Sequence, residues 1–180
     1  MSMIFADIRG STTLAEKMNP AEFSTLINRF YSISSDILAM EKGFVDKLAG
    51  DQVSAFFVPG LAGEEHYKHA LDAAKRILKA TGHADPEGPW VPVGIGVHSG
   101  IAYFGAVGKA DGLSDLTVLG DPPNTGARLA STAKAGEILV SDRTAQKAKL
   151  DTSDLERRTL ELKGKSELVD IWVLKARSGL

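Results

Sequence analysis

Cysteine is absent from the 180 residues. Disulfide staples, thiolate-held zinc, iron–sulfur clusters and a thiol nucleophile are thereby excluded, and the absence fits a reducing compartment. No apolar run approaches the roughly 18–20 residues that cross a bilayer; the longest, such as VSAFFV at 53–58, are strand-sized. An excess of one charge is also missing. Lys and Arg number 21 against 23 Asp and Glu, a formal net charge of −2. No broad basic stripe exists to hold nucleic acid by its phosphates. Internal repeats and low-complexity tracts are lacking. Met1 leads within three residues into a strand-like segment, without the charged and apolar regions of a signal peptide. These absences predict a cytoplasmic chain, free-standing or the cytosolic domain of a larger, membrane-attached protein, with no membrane contact of its own. The abrupt start leaves room for an upstream regulatory domain.

What is there has an ordinary globular balance, 43% hydrophobic and 24% charged. At about 150 residues per domain, the length implies one domain over 1–180. The breaks at 59–65, 81–90, 108–115 and 134–136 are rich in Gly, Pro or Asp, and none is long enough to separate two domains. MIFADI (3–8) predicts a first strand, with Ser11 or Thr12 expected to cap a short helix after it. Asn19 as N-cap, Pro20 first and Glu22 third have the spacing of a capping box. From Phe23 to Leu38 apolar residues then recur at helical spacing, and Gly43 ends the helix. FVDKL (44–48) and QVSAFFV (52–58) flank Ala49–Gly50–Asp51 as a hairpin. Tyr67, Ala70, Leu71, Ala74, Ile77 and Leu78 mark a second amphipathic helix. VPVGIGVHSG (91–100) and AYFGAVG (102–108) are expected to pair as a second hairpin, with LTVLG (116–120) a further short strand. Asp121 is the expected cap of a helix running to about Thr132. EILVS, a short helix and two more strands complete the chain. Two β-α-β units around hairpins predict an α/β fold (an α+β sandwich) with a ferredoxin-like βαββαβ core and extra strands.

Asp7 closes an apolar strand, and IRGST follows it into a helix. A carboxylate beside a Gly-containing turn and exposed helix N–H groups suits a metal with phosphates, so Gly10, Ser11 and Thr12 join Asp7 as candidates. Asp51 sits at the hairpin tip. Each alone reads more readily as turn chemistry, and the two gain force together. If strand 1 lies beside the hairpin, the two carboxylates become neighbours able to hold two Mg²⁺ ions for an in-line phosphoryl displacement. Asn124 and Arg128, four apart on a helix, share a face and offer an amide and a fixed charge to an oxyanion. Lys163 could bind a terminal phosphate. Gly94, Gly96 and Gly100 lie in a strand pattern with no helix after it, so they are not a dinucleotide loop. His98 reads as strand packing, and His66, His69 and His83 lack metal-ligand spacing.

Taken in order, FADIRGST, KLAGD, LTVLGDPPNTGARL and LKGKS resemble the class III adenylyl/guanylyl cyclase catalytic domain over essentially the whole chain. The resemblance implies that Asp7 and Asp51, with the Ile8 carbonyl, ligate two divalent metal ions, Mg²⁺ or Mn²⁺. Lys47 and Thr117 stand where the family selects its base, and the pair is similar to that of adenylyl cyclases, which implies ATP as substrate. Asn124 would orient the ribose, Arg128 would neutralise charge at the α-phosphate, and Lys163 would anchor the triphosphate. The resemblance further implies a homodimer with two shared sites. The carboxylates of each site would come from one chain, and Lys47, Thr117, Asn124, Arg128 and Lys163 from the other. Two departures are present: Pro122–Pro123 replaces the more usual Thr-Val, and residues 108–116 carry only Lys109 where members often have a phosphate-reaching Arg. Three other readings remain: a guanylyl or mixed-specificity cyclase, a catalytically weak cyclase-homology domain for dimerisation or sensing, and a polymerase-palm-like two-metal enzyme. The balanced charge opposes the last.

Overall fold

The computed structural model describes residues 1–108, 114–161 and 168–176. The first strand, β1 (Ser2–Ile8), is apolar along nearly its whole length and lies inside a seven-stranded sheet. Two helices follow, α1 (Ser11–Lys17) and α2 (Pro20–Met40), and then the hairpin β2 (Phe44–Ala49) and β3 (Gln52–Phe57). A one-turn helix α3 (Pro59–Ala62), placed within a stretch expected to be loop, leads to α4 (His66–Ala80) and β4 (Val93–Ser99). The chain continues as β5 (Tyr103–Gly108), β6 (Ser114–Leu119), α5 (Asp121–Thr132), β7 (Glu137–Ser141), α6 (Asp142–Lys147), β8 (Glu156–Glu161) and β9 (Leu168–Lys175). The strand order is β2-β3-β1-β4-β7-β9-β8. Its first four strands, all antiparallel, are the expected βαββαβ core, and β7, β9 and β8 extend it. Among the described residues no helix is long and apolar enough to cross a membrane.

Local signals set several boundaries. The Asn19 side chain accepts from the Glu22 N–H at 2.9 Å, and the Glu22 carboxylate accepts from the Asn19 N–H, which completes the capping box. Elsewhere the cap lies one residue upstream of the expected one. Gly10, at φ 69, caps α1, and Gly120 caps α5, so Ser11 and Asp121 are the first helical residues. The Ser11 hydroxyl is therefore available for another contact, and the Asp121 carboxylate accepts from the Thr125 hydroxyl at 3.4 Å. Pro122 and Pro123 still fall in the first turn, where no helical N–H is lost.

The second hairpin does not form as expected. β4 pairs with β1 and, in parallel, with β7, whereas β5 pairs with β6 in a separate two-stranded arm. Both edges of β4 are taken, by β1 and by β7, which leaves β5 no place beside it. Across the face of β4 lies α5, so close that a Cβ on Gly96 would sit 2.4 Å from the Ala130 nitrogen, and one on Gly94 2.7 Å from the Ala133 carbonyl oxygen. Gly100 faces Pro122 in the same way. These glycines, which look like strand residues with no purpose, form the flat seat of α5. The strand that would have returned along β4 leaves the sheet instead.

The alternation of β1 sorts the two faces. Ile4, Ala6 and Ile8 pack with α2 and α4 in the larger core, while Met3 and Phe5 pack toward α5 and the arm. Asp7 shares the parity of Met3 and Phe5 and therefore the α5 face. Between the layers runs a buried polar chain: His66 Nδ1 to Ser2 at 2.9 Å, Ser2 to Ser99 at 2.7 Å, Ser99 to Thr144 at 2.9 Å, Thr144 to Ser141 at 2.8 Å, Ser141 to His98 at 2.9 Å. Burial, then the nearby N-terminal ammonium, lowers the His66 pKa to about 4.

The close seat of α5 has a measurable consequence. Gly96→Ala is expected to destabilise the protein by about 1–3 kcal/mol, because the added methyl meets backbone that cannot swing aside. Gly60→Ala, with nothing within 4 Å of the added Cβ, is the control. Urea unfolding midpoints check this; equal midpoints would mean that α5 does not rest on β4 this closely.

Candidate active site

Two groups of candidate residues form on the α5 face. The first is at the end of β1. Antiparallel pairing sets Asp7 opposite Gln52, and the Ile8 N–H donates to the Asp51 carbonyl at 2.9 Å. Strand 1 therefore lies beside the hairpin tip, as expected. A two-residue turn with Gly50 at φ 63 makes that tip, a position where glycine relieves the strain of a hairpin turn. Asp7 is mostly buried. Its Oδ1 pairs with the Arg9 guanidinium, and its Oδ2 accepts from Gln52 Nε2 at 3.3 Å. Ser11, freed from capping, donates its hydroxyl to Asp51 Oδ2. Burial raises the Asp7 pKa, Arg9 opposes that, and the charge of Asp51 adds to the rise. The two carboxylates thus feel one another. Ile8 itself is buried, Gly10 turns the chain, and Thr12 is exposed on α1.

The second group lines a cleft of about 210 Å³ between the hairpin, the arm and the start of α5. Lys47, Thr117 and Asn124 all line it, with Asp46, Gln52 and Ser54 as further polar groups and Phe5, Phe56 and Val118 as apolar wall. Residues 70 positions apart in sequence meet there because β2 pairs with β3 and the arm folds back over β3's face. Asn124 is exposed, its amide only 3.5 Å from the Gly120 carbonyl. Arg128 lies one turn further along α5, half-buried, and its guanidinium makes no ion pair among the described residues. Lys163 lies outside the described residues, as does Lys109.

Three side chains that local spacing does not single out take part. Asp46 faces the cleft and accepts from the Ser54 hydroxyl at 3.4 Å. Gln52 lines the cleft and also reaches Asp7, so it joins the two groups. Arg9 connects Asp7 to the end of α5. Its one sequence signal is its place two residues after Asp7, on the same side of the strand line. The histidines behave as structural groups: His83 accepts from the Val93 N–H at 2.9 Å, and His69 meets Glu41 at 3.1 Å. No group of three or more His, Cys, Asp or Glu that could hold a metal occurs among the described residues.

The donor set at the first group nevertheless fits one kind of ion. Two neighbouring carboxylates and a main-chain carbonyl are hard oxygen donors, suited to Mg²⁺ or Mn²⁺, which take their remaining ligands from water and phosphate. Burial and the nearby Asp51 charge both disfavour the Asp7 carboxylate, and a bound cation would offset both. The absence of sulfur and clustered imidazole excludes a closed zinc site here.

A sequence model of the family described as Adenylate and Guanylate cyclase catalytic domain matches residues 1–176. An adenylate cyclase of Anabaena cylindrica is 30% identical over 190 residues, covering 98% of this chain and 37% of that protein. A Mycobacterium tuberculosis protein is 33% identical over 82% of this chain and 26% of its own length. The chain therefore spans between a quarter and two fifths of these relatives. The solved structure of the adenylyl cyclase CyaB from P. aeruginosa superposes with a TM-score of 0.82 at 29% identity, over 99% of this chain and 95% of that one. A guanylyl cyclase structure superposes at 0.83 with 23% identity, over 96% and 89%, a likeness in fold.

Proposed function

The chain belongs to the adenylate and guanylate cyclase catalytic domain family, and on that premise we propose that it is an adenylyl cyclase. It would convert ATP to 3′,5′-cyclic AMP and pyrophosphate at sites shared by the two copies of a homodimer. The observation that carries the choice of base is the cleft in which Lys47 and Thr117 stand together. The Lys47 ammonium donates to adenine N1, and the Thr117 hydroxyl accepts from the adenine amino group. Guanine reverses this pattern, with a donor at N1 and an acceptor at C6.

Asn124, exposed at the start of α5, is placed to orient the ribose. Arg128, one turn on and without a carboxylate partner among the described residues, meets the charge that develops when the 3′-oxygen attacks the α-phosphorus and pyrophosphate leaves. Asp7, Asp51 and the Ile8 carbonyl would hold two divalent ions, which when bound lower the pKa of the 3′-hydroxyl and clamp the triphosphate. Ser11 and Gln52 fix the orientation of the two carboxylates. Gly10 and Thr12 line the approach of the phosphates to α1, and Lys163 anchors their far end.

Support for a dimer comes from the arm. Ile101 is 88% exposed, and the nearby Tyr103 and its cross-strand partner Leu119 are open as well. A two-stranded arm is marginal by itself, and an apolar cluster of this kind marks a contact surface.

The test is a comparison of kcat/KM for ATP and GTP with Mg²⁺ and with Mn²⁺. Each hydrogen-bonding group left mispaired beneath a bound base costs roughly 1–3 kcal/mol, so ATP is expected to be preferred by at least about tenfold. Equal values would contradict the assignment of Lys47 and Thr117, and a preference for GTP would reverse it. Turnover of neither nucleotide would favour the catalytically weak dimerisation domain.

A further inference from the structure

Arg9 is not accounted for by cyclisation as described above. Its side chain leaves the end of β1 on the α5 face. Nη2 pairs with Asp7 Oδ1, while Nη1 donates to the Ser131 carbonyl at 2.9 Å and lies 3.5 Å from that of Ala133. Those carbonyls are the C-terminal end of α5, where the helix carries partial negative charge and welcomes a cation. Nε is buried and has no partner among the described residues. The guanidinium is therefore not a freely hydrated surface group. It is held by its two terminal nitrogens between a carboxylate and a helix end, and its main-chain N–H is fixed to the Pro92 carbonyl at 2.8 Å.

We propose that Arg9 is a positioning residue and a resident counter-cation: it holds the Asp7 carboxylate against the end of α5, and a divalent ion ligated by Asp7 displaces it. The inference rests on the reading of Asp7 as a metal carboxylate. Asp7 is mostly buried and faces the charge of Asp51, an unfavourable arrangement unless a cation is present. Arg9 supplies one, and its hold on the α5 carbonyls keeps it close after Asp7 is taken by a stronger cation. A divalent ion at Asp7 must then displace the Arg9 contact and tolerate a positive charge within a few ångströms. Arg9 so lowers the affinity of the site for bare metal and stabilises the site without it. The same arm ties the carboxylate edge to α5, the helix that carries Asn124 and Arg128. Asp7 and the transition-state residues of the same chain are thus linked through Arg9 as well as through Gln52.

The test measures Mn²⁺ binding without nucleotide, by calorimetry and by electron paramagnetic resonance, together with melting temperatures in EDTA. The proteins are the unaltered chain, Arg9→Gln, Arg9→Lys and Asp7→Asn. Removing a full charge a few ångströms from the ion is expected to tighten Mn²⁺ binding by about 3- to 10-fold in Arg9→Gln. The same variant should melt lower in EDTA and recover more of that loss on adding Mn²⁺. Arg9→Lys keeps the charge and should bind Mn²⁺ as the unaltered chain does, which a purely structural role for the fork would not predict. Unchanged or weaker Mn²⁺ binding by a folded Arg9→Gln overturns the proposal, provided Asp7→Asn loses the site. If Asp7→Asn binds Mn²⁺ undiminished, the metal reading of Asp7 fails and the role of Arg9 fails with it. Should Arg9→Gln not fold, Mn²⁺ binding by Arg9→Lys equal to that of the unaltered chain supports the charge account. Loosened binding in Arg9→Lys contradicts it.

Discussion

Asp51→Ala is expected to leave a folded protein whose nucleotide turnover is reduced by about a thousandfold or more, the scale of losing metal stabilisation worth several kcal/mol. The fold should tolerate the change because the turn is held by main chain. The Ile8 N–H keeps its bond to the residue-51 carbonyl, and Gly50 keeps the positive φ that closes the hairpin. What is lost is the bond from Ser11 to the carboxylate, worth about 1.5–3 kcal/mol for a charged acceptor. The repulsion on Asp7 is relieved at the same time. For a chain of this size 1 kcal/mol moves the melting temperature by roughly 2–4 °C. Turnover and a melt on the same sample check both halves. Full activity in a folded Asp51→Ala protein would remove Asp51 from the site.

Arg128→Ala is expected to lower kcat by about 10²–10³, the loss typical of one preorganised oxyanion donor, with far less change in KM for ATP. Structure gives little reason for collateral damage. The guanidinium makes no ion pair among the described residues, the substitution lies mid-helix, and alanine is the better helix former. Arg128→Lys should fall between, since it keeps the charge without the planar fork. A variant that loses only affinity would place Arg128 on the ground state of the substrate.

Which of these features can be read without coordinates depends on how local their cause is. The start of α2 is legible because Asn19, Pro20 and Glu22 satisfy one another within four residues. The nearness of Asp7 and Asp51 follows once strand 1 is set beside a hairpin whose turn is local. The pairing of β4 is not legible, since its second edge is taken by β7, some forty residues later, and the seat for α5 at Gly94 and Gly96 reads as plain strand. Ser11 as a cap and Ser11 as a partner of Asp51 are equally good local chemistry. The left-handed Gly10 decides between them. Arg9 is the clearest limit. Its partners at Ser131 and Ala133 are more than 120 residues away, and no spacing rule reaches that far. The buried run from His66 to His98 likewise joins five separate elements, and each member alone reads as an ordinary polar residue.

The shared site is tested most directly by mixing two inactive proteins. Asp7→Ala removes a carboxylate from both sites of its homodimer, and Arg128→Ala removes the cation from both. In a heterodimer of the two, one site collects both defects and the other collects neither. Random pairing of equal amounts makes half the dimers heterodimers, each with one intact site of two. Activity recovered after subunit exchange should therefore be about a quarter of that of the unaltered protein, from two-fold symmetry alone. No recovery in a mixture shown by native mass spectrometry to contain heterodimers would contradict it. Asp7 and Arg128 would then serve one site from one chain.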